Sequence, residues 1–321
     1  MNKNLLTILL LLLVGVIVFF VIYESSSSRV ENRSENQFEY STDEFEDVAG
    51  SLIKYKEIRQ IKLSGDPKAI GWFNKQIYLL EGSQLKVISE KGTLLKAIGL
   101  TESANCLQVM DDGMILIAYK SRFGIFNSDL EMMLESESEN EKAIFTSITR
   151  LDKEIFVADA GNRKVHRFSM DGKKLSDFEG VSGAESLHGF IIPSPYFDMG
   201  VNHENELWVV NPGMHTFQNY SPEGDLIRFW RKSSVEIDGF SGCCNPAHFT
   251  FLYDGSIITS EKGMPRIKVL NPDGELLAVV APPEKFDGDQ APDVIADRLG
   301  NVYALDYDKK MVRIFMKMNK D

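Results

Sequence analysis

The sequence predicts an all-β protein, a six-bladed β-propeller preceded by a single N-terminal transmembrane helix. Three observations predict it. The chain opens on a long uncharged apolar run, no helical periodicity follows residue 50, and one strand motif then recurs six times. The recurrence interval, about 40–50 residues, is that of a propeller blade.

The apolar run comes first. Leu5 to Tyr23 reads LLTILLLLLVGVIVFFVIY, without a charge. As a helix it spans roughly 28 Å, close to the hydrocarbon thickness of a bilayer. A cleaved signal peptide has a shorter apolar region, about 7–15 residues, and a small-residue cleavage site. Here Glu24 and four serines follow, so residues 1–23 are expected to form an uncleaved signal-anchor. No cysteine lies nearby to carry a lipid. Lys3 and the amino terminus precede the span and Glu24 follows it, which places the N-terminus in the cytoplasm and the rest outside, periplasmic or extracellular. No later stretch is long and apolar enough for a second span.

Residues 24–50 read as a tether. They are rich in Ser, Asn and Glu and carry eight acids against two arginines. Such a segment cannot bury enough apolar surface to offset its ordering entropy, so a disordered, self-repelling leash is expected.

The repeats occupy residues 51–321. IYLLE at Ile77 is followed by ILIAY at Ile115, IFVAD at Ile155, LWVVN at Leu207, IITSE at Ile257 and VYALD at Val302. Each is followed by a second apolar strand, such as LKVIS from Leu85 or VRIFM from Val312. The first five copies continue through a turn (Lys91-Gly92, Ser128-Asp129, Asp171-Gly172, Glu223-Gly224, Asp273-Gly274) into a further strand. The sixth copy stops at its turn position. One strand is left over at the start, KEIRQIKL, and residues 56–63 are expected to complete the last blade and close the ring. One blade cannot bury its own faces, whereas six around an axis bury each sheet between two neighbours.

The segment VADAGNRKVHRFSMDG, Val157 to Gly172, resembles the NHL-repeat family of propellers. It has a strand ending in Ala-Asp, an Asn shortly after, then Arg-x-Val-x-x-Phe and a Gly turn. ALDYDKKMVRIF from Ala304 is a looser copy lacking the Asn, and VVNPGMHTFQNYSPEG from Val209 is looser still. The resemblance covers roughly residues 51–321 and implies a fold rather than an activity, since such propellers include protein-binding platforms, metal-dependent lyases and lactonases. No family catalytic residue maps onto this chain.

The net charge of −12 argues against a nucleic-acid partner, because duplex affinity comes mostly from Lys and Arg neutralising phosphates. About half of that acidity sits in the tether, so the bias on the propeller itself is mild. The partners expected are the membrane, through the N-terminal helix, and a protein or small-molecule ligand.

Candidate site residues fall in three groups. Counting nine residues back from each IYLLE-type strand gives one equivalent position per blade: Lys68, Cys106, Thr146, Asp198, His248 and Asp293. In a propeller such positions cluster near the axis, and Cys106 and His248 belong to opposite blades. A second group, Glu261, Lys262 and Arg266, falls on the loop between two strands of the fifth blade and is expected to face a ligand. The third is the turn-rich segment GFSGCCNPAHF, Gly239 to Phe249. For Cys243 and Cys244 three readings stay open. They are structural thiols, or a metal or redox centre with His248 and Cys106, or a disulfide favoured by an oxidising compartment. The metal reading is weakened by the lack of a Cys-x2-Cys spacing, and the disulfide between neighbours by strain. His166, within a strand of the repeat, is expected at the surface. A site combining His188, His215 and His248 on one mouth is a further alternative.

The leading functional expectation is a membrane-tethered binding or scaffold module. The alternative is a metal- or thiol-dependent enzyme or redox protein centred on Cys243, Cys244 and His248.

Overall fold

The computed structural model describes residues 48–180 and 189–318. The expected anchor and nearly all of the tether, like His188, lie outside the described residues. Among the described residues no helix is long and apolar enough to cross a membrane.

Strand β1 (Tyr55–Lys62) opens the described chain. Blade one follows as β2 (Pro67–Phe73), β3 (Gln76–Glu81), β4 (Gln84–Ser89) and β5 (Leu94–Gly99). Blade two is β6 (Cys106–Val109), β7 (Ile115–Ala118), β8 (Phe123–Phe126) and β9 (Met132–Glu135). Blade three is β10 (Phe145–Leu151), β11 (Glu154–Asp159), β12 (Lys164–Ser169) and β13 (Lys174–Phe178). Blade four is β14 (Met199–Val201), β15 (Leu207–Asn211), β16 (Thr216–Tyr220) and β17 (Leu226–Arg231). Blade five is β18 (His248–Phe251), β19 (Ile257–Ser260), β20 (Ile267–Leu270) and β21 (Leu276–Ala281). Blade six is β22 (Asp293–Ala296), β23 (Val302–Asp306) and β24 (Met311–Lys317), with β1 as its fourth strand. Every sheet is antiparallel and four-stranded, a simple meander in blades one to five, and the first strands β2, β6, β10, β14, β18 and β22 touch in sequence around a ring. The protein is thus an all-β six-bladed propeller.

Burial follows from that stacking. The second strands, β3, β7, β11, β15, β19 and β23, are buried at nearly every residue because both sheet faces meet a neighbouring blade. Their sequences accordingly read as continuous apolar runs rather than alternating ones. The outermost strands β5, β9, β13 and β17 are largely exposed. Strand β21 is more buried because Leu52 to Lys54 run along its edge, with Ile53 bridging Val279. At the turn into β21, Gly274 adopts φ +86, and a Cβ there would sit 2.6 Å from the Trp230 ring. A side chain is excluded both by conformation and by space.

Ring closure is a strand pairing. Strand β1 lies antiparallel to β24, from Tyr55 opposite Lys317 to Lys62 opposite Met311. Arg313 locks the seam by donating from Nε and Nη2 to Glu57 at 2.9 and 2.8 Å. Tyr55 and Ile61 carry the buried side of β1.

The expectation for His166 is corrected. It is 1% exposed, held between blades two and three, and its Nε2 lies 3.0 Å from Asp159 Oδ2. Position parity does not mark solvent where both faces of a sheet are covered. Asp159 also accepts hydrogen bonds from the backbone N–H groups of Ile144, Gly161 and Asn162 and from the Asn162 side chain. Burial pushes its pKa up, but these donors outweigh it and bring the carboxyl from 3.8 to about 2. A depressed carboxyl pKa contributes stability above its unfolded value, which is lost as pH falls through the folded value. Asp159→Asn is expected to lower stability at pH 7 by about 2 kcal/mol and to flatten the acid limb between pH 4 and pH 2. Urea unfolding across that range measures both.

Candidate functional site

The inner strands bring the six equivalent positions together. Lys68, Cys106, Thr146, Asp198, His248 and Asp293 all line one constriction of about 60 Å³ at the centre of the ring. Each sits within one residue of the start of its blade's first strand, so the ring's symmetry gathers them at one level. Two wider spaces adjoin this neck. One, of about 610 Å³, is walled by Tyr196, Tyr307, Gln290 and Lys310 and shares Lys68, Thr146 and His248 with the neck. The other, of about 510 Å³, is formed by the hairpins joining first to second strands, including His203 and Tyr253, whose rings lie 4.4 Å apart.

Backbone hydrogen bonds aim the carboxylates. Asp198 Oδ2 accepts from Phe249 N at 2.9 Å, linking blades four and five. Asp293 Oδ2 accepts from Ile70 N at 3.0 Å, linking blades six and one. Thr146 donates to Phe197 O at 2.7 Å, and Tyr307 to Lys68 O at 3.1 Å. The neck is therefore both a joint between blades and a concentration of polar groups.

Electrostatically the neck is frustrated. His248 Nδ1 faces Asp198 at 4.0 Å and Asp293 at 3.9 Å, too far for hydrogen bonds. Its Nε2 is buried with no hydrogen-bond partner. With Nδ1 carrying the proton toward the carboxylates, Nε2 is left as an open acceptor. Desolvation raises Asp198 to about 6, against the opposing pull of His248, and raises Asp293 to about 7. It lowers His248, while Asp198 opposes that shift. The Cys106 thiol is pushed well up, by burial and then by the two aspartates. The neck thus holds carboxyls raised toward neutrality, a feature of functional sites.

A carboxyl with a raised folded-state pKa favours folding below its unfolded value and loses that contribution as pH rises through the folded one. Asp293→Asn keeps an oxygen for Ile70 N but cannot ionise. At pH 8 the variant is expected to be more stable than the parent by about 1–3 kcal/mol, with a smaller gain on going to pH 5. Denaturant midpoints at the two pH values decide it. A loss at pH 8 would show that the charged form is stabilised there.

The expectation for Glu261, Lys262 and Arg266 is corrected in two of three positions. Glu261 and Arg266 are 1% and 0% exposed. Arg266 grips Glu261 through Nε and Nη2 at 2.7 and 3.0 Å and donates to the carbonyls of Val235, Glu236 and Gly239. Lys268, also buried, pairs with Glu261 at 2.9 Å and donates to Ile237 O and Gly239 O. Burial pulls the Lys268 ammonium down to about 8 against the opposing effect of Glu261. The group is an internal clamp on the loop that leads to β18. The sequence places these charges on a loop, and what it hides is that the preceding excursion covers them. Lys262 alone stays partly exposed, its Nζ 5.7 Å from the Tyr196 ring.

The three cysteines are free thiols. Cys106 and His248 line the neck, and Cys243 and Cys244 are not among its walls. Among the described residues no group of three or more His, Cys, Asp and Glu side chains is placed to hold a metal ion. His215 is bound into the loop instead, with Nε2 donating to Gly242 O and Nδ1 accepting from Ser233 at 2.8 Å. The residues that sequence reasoning passed over are Tyr196 and Tyr307. Both lie in connections outside the strand repeat, so periodicity gives no signal for them.

No family model and no curated protein matches this chain. Solved structures do. A catalytically inactive variant of virginiamycin B lyase from Staphylococcus aureus, solved with quinupristin, is similar with a TM-score of 0.59 and 12% identity, over 82% of this chain and 100% of that one. A structural genomics protein of unknown function from Bacteroides thetaiotaomicron reaches 0.60 at 12% identity, over 81% of this chain and 75% of that one. The WD40 propeller domain of Doa1 reaches 0.55 at 12% identity, over 79% and 80%. At these identities the likeness establishes the propeller fold alone.

Proposed function

We propose that the protein is a membrane-tethered, extracytoplasmic binding module of NHL-like repeat character, whose propeller takes a small polar ligand in the mouth above His248. The observation that carries this reading is the 610 Å³ space lined by His248, whose buried Nε2 has no hydrogen-bond partner within the protein. Its volume falls within the range of about 300–1,000 Å³ typical of small-molecule sites. A donor group on the ligand satisfies Nε2, Tyr196 and Tyr307 offer aromatic walls, and Asp198 and Asp293 favour a ligand that brings positive charge. Propellers serve widely as binding platforms, which the likeness to a WD40 domain supports for the fold. The apolar run Leu5 to Tyr23 and the acidic tether support display outside the cytoplasm from an N-terminus inside.

The test is thermal-shift screening of the full chain against amino acids, dipeptides, polyamines and monosaccharides. Amine-bearing compounds are expected to raise the midpoint, and His248→Ala and Tyr196→Ala to abolish the shift. Shifts that survive both variants would move the site elsewhere. The tether is tested separately, since carbonate-washed membranes are expected to retain the full chain and to release a variant lacking residues 1–23.

A further inference from the structure

The loop that carries Cys243 and Cys244 is held more tightly than two incidental thiols require. Their Sγ atoms lie 3.0 Å apart. Asn245 fixes the loop with three hydrogen bonds, from Nδ2 to Ser241 O and Lys262 O at 2.6 and 2.9 Å, and from Lys262 N to Oδ1 at 2.7 Å. His215 ties Gly242 to blade four. The two sulfurs are unequal. Cys243 is exposed, whereas Cys244 is buried and receives a 2.9 Å hydrogen bond from the Ser194 hydroxyl. One sulfur is open to attack on a partner, and the other is shielded and oriented by the Ser194 hydroxyl, while burial pushes the Cys244 thiol up against the opposing effect of that donor. Cys106 does not share this arrangement, since it lies in the neck.

We propose that Cys243 and Cys244 form a dithiol–disulfide exchange site, with Cys243 as the attacking thiol and Cys244 as the resolving one. The co-reactant is a disulfide, either of a small thiol or of a protein. Cys243 thiolate attacks one sulfur of the incoming disulfide, forming a mixed disulfide and releasing one thiolate, which takes a proton. Cys244 thiolate then attacks the Cys243 sulfur, closing the disulfide between neighbours and releasing the second thiol. Two electrons pass from the pair to the incoming disulfide, and the two protons of the pair end on the two released thiols. Adjacent Cα atoms stand about 3.8 Å apart, below the usual disulfide range, so the product is strained and readily reduced again. Exchange is therefore reversible. Neither cysteine lines the ligand mouth, and the exchange is tested without a ligand.

The full chain is incubated with glutathione disulfide, quenched in acid, alkylated and weighed by intact and peptide mass spectrometry. The wild-type protein is expected to lose two hydrogens within the peptide holding Cys243 and Cys244, to retain no glutathione, and to recover both thiols with dithiothreitol. Cys244→Ser is expected to trap one glutathione on Cys243. Cys243→Ser is expected to react at least about tenfold more slowly, and Cys106→Ser to behave as the parent. Three alkylatable thiols in the treated wild-type protein would overturn the proposal. So would stable glutathione on wild-type Cys243, or a disulfide that includes Cys106. Because the wild-type result decides by itself, a variant that fails to fold leaves the test intact.

Discussion

Removing residues 51–63 is expected to lower the thermal midpoint of the propeller by more than about 10 °C and to broaden its transition. Strand β1 is the fourth strand of blade six, although it precedes blade one in the chain. Its loss exposes the edge of β24 along the whole register from Met311 to Lys317. It uncovers Ile314 and Phe315, now 3% and 1% exposed, and strips Arg313 of Glu57 while leaving it beside Asp306 at 3.3 Å. The same deletion removes the bridge from Ile53 to Val279, so blade five loses its cover too. Calorimetry of the deletion beside the parent measures the effect. An unchanged midpoint would mean that the ring is stable without this closure.

The second large effect belongs to Arg266. Arg266→Ala leaves Glu261 buried with Lys268 as its remaining partner, and leaves the carbonyls of Val235 and Glu236 without a donor that the structure now supplies. Breaking one partner of a buried ion pair costs about 3–5 kcal/mol, more than the pair's net worth, because a charge is stranded. The expected result is a loss of that size in urea unfolding, with increased proteolysis within residues 232–246. Lys262→Ala, whose residue is partly exposed, is expected to change stability by less than about 0.5 kcal/mol. Equal effects of the two substitutions would contradict the clamp.

The fold was legible because a propeller writes its architecture as period and count. The six IYLLE-type strands matched six second strands, and one missing strand pointed to one spare. The neck was legible for the same reason: equivalent positions in a ring converge, so nine residues back from Ile77 or Val302 was enough to find Lys68 or Asp293. Burial was harder to read. His166 and Arg266 are charged or polar by type, and sequence offers no sign that the neighbouring blade covers the first and residues 232–246 the second. Tyr196 and Tyr307 stand in connections, where the repeat has no register. The numbers of the neck are also a property of assembly. Asp198 and Asp293 titrate near neutrality because six strands exclude water around them, and nothing local to either residue encodes that.

Binding of a ligand in the mouth above His248 is read at the imidazole itself. With histidines labelled in ¹⁵N, the full chain is titrated with the amine-bearing compound that raises the midpoint most, and the ring nitrogens are followed by NMR. The His248 Nε2 resonance is expected to move on binding as it gains a hydrogen-bond donor, while His203 at the opposite mouth stays fixed. Movement at His203 with His248 unchanged would place the ligand on the other face and contradict it.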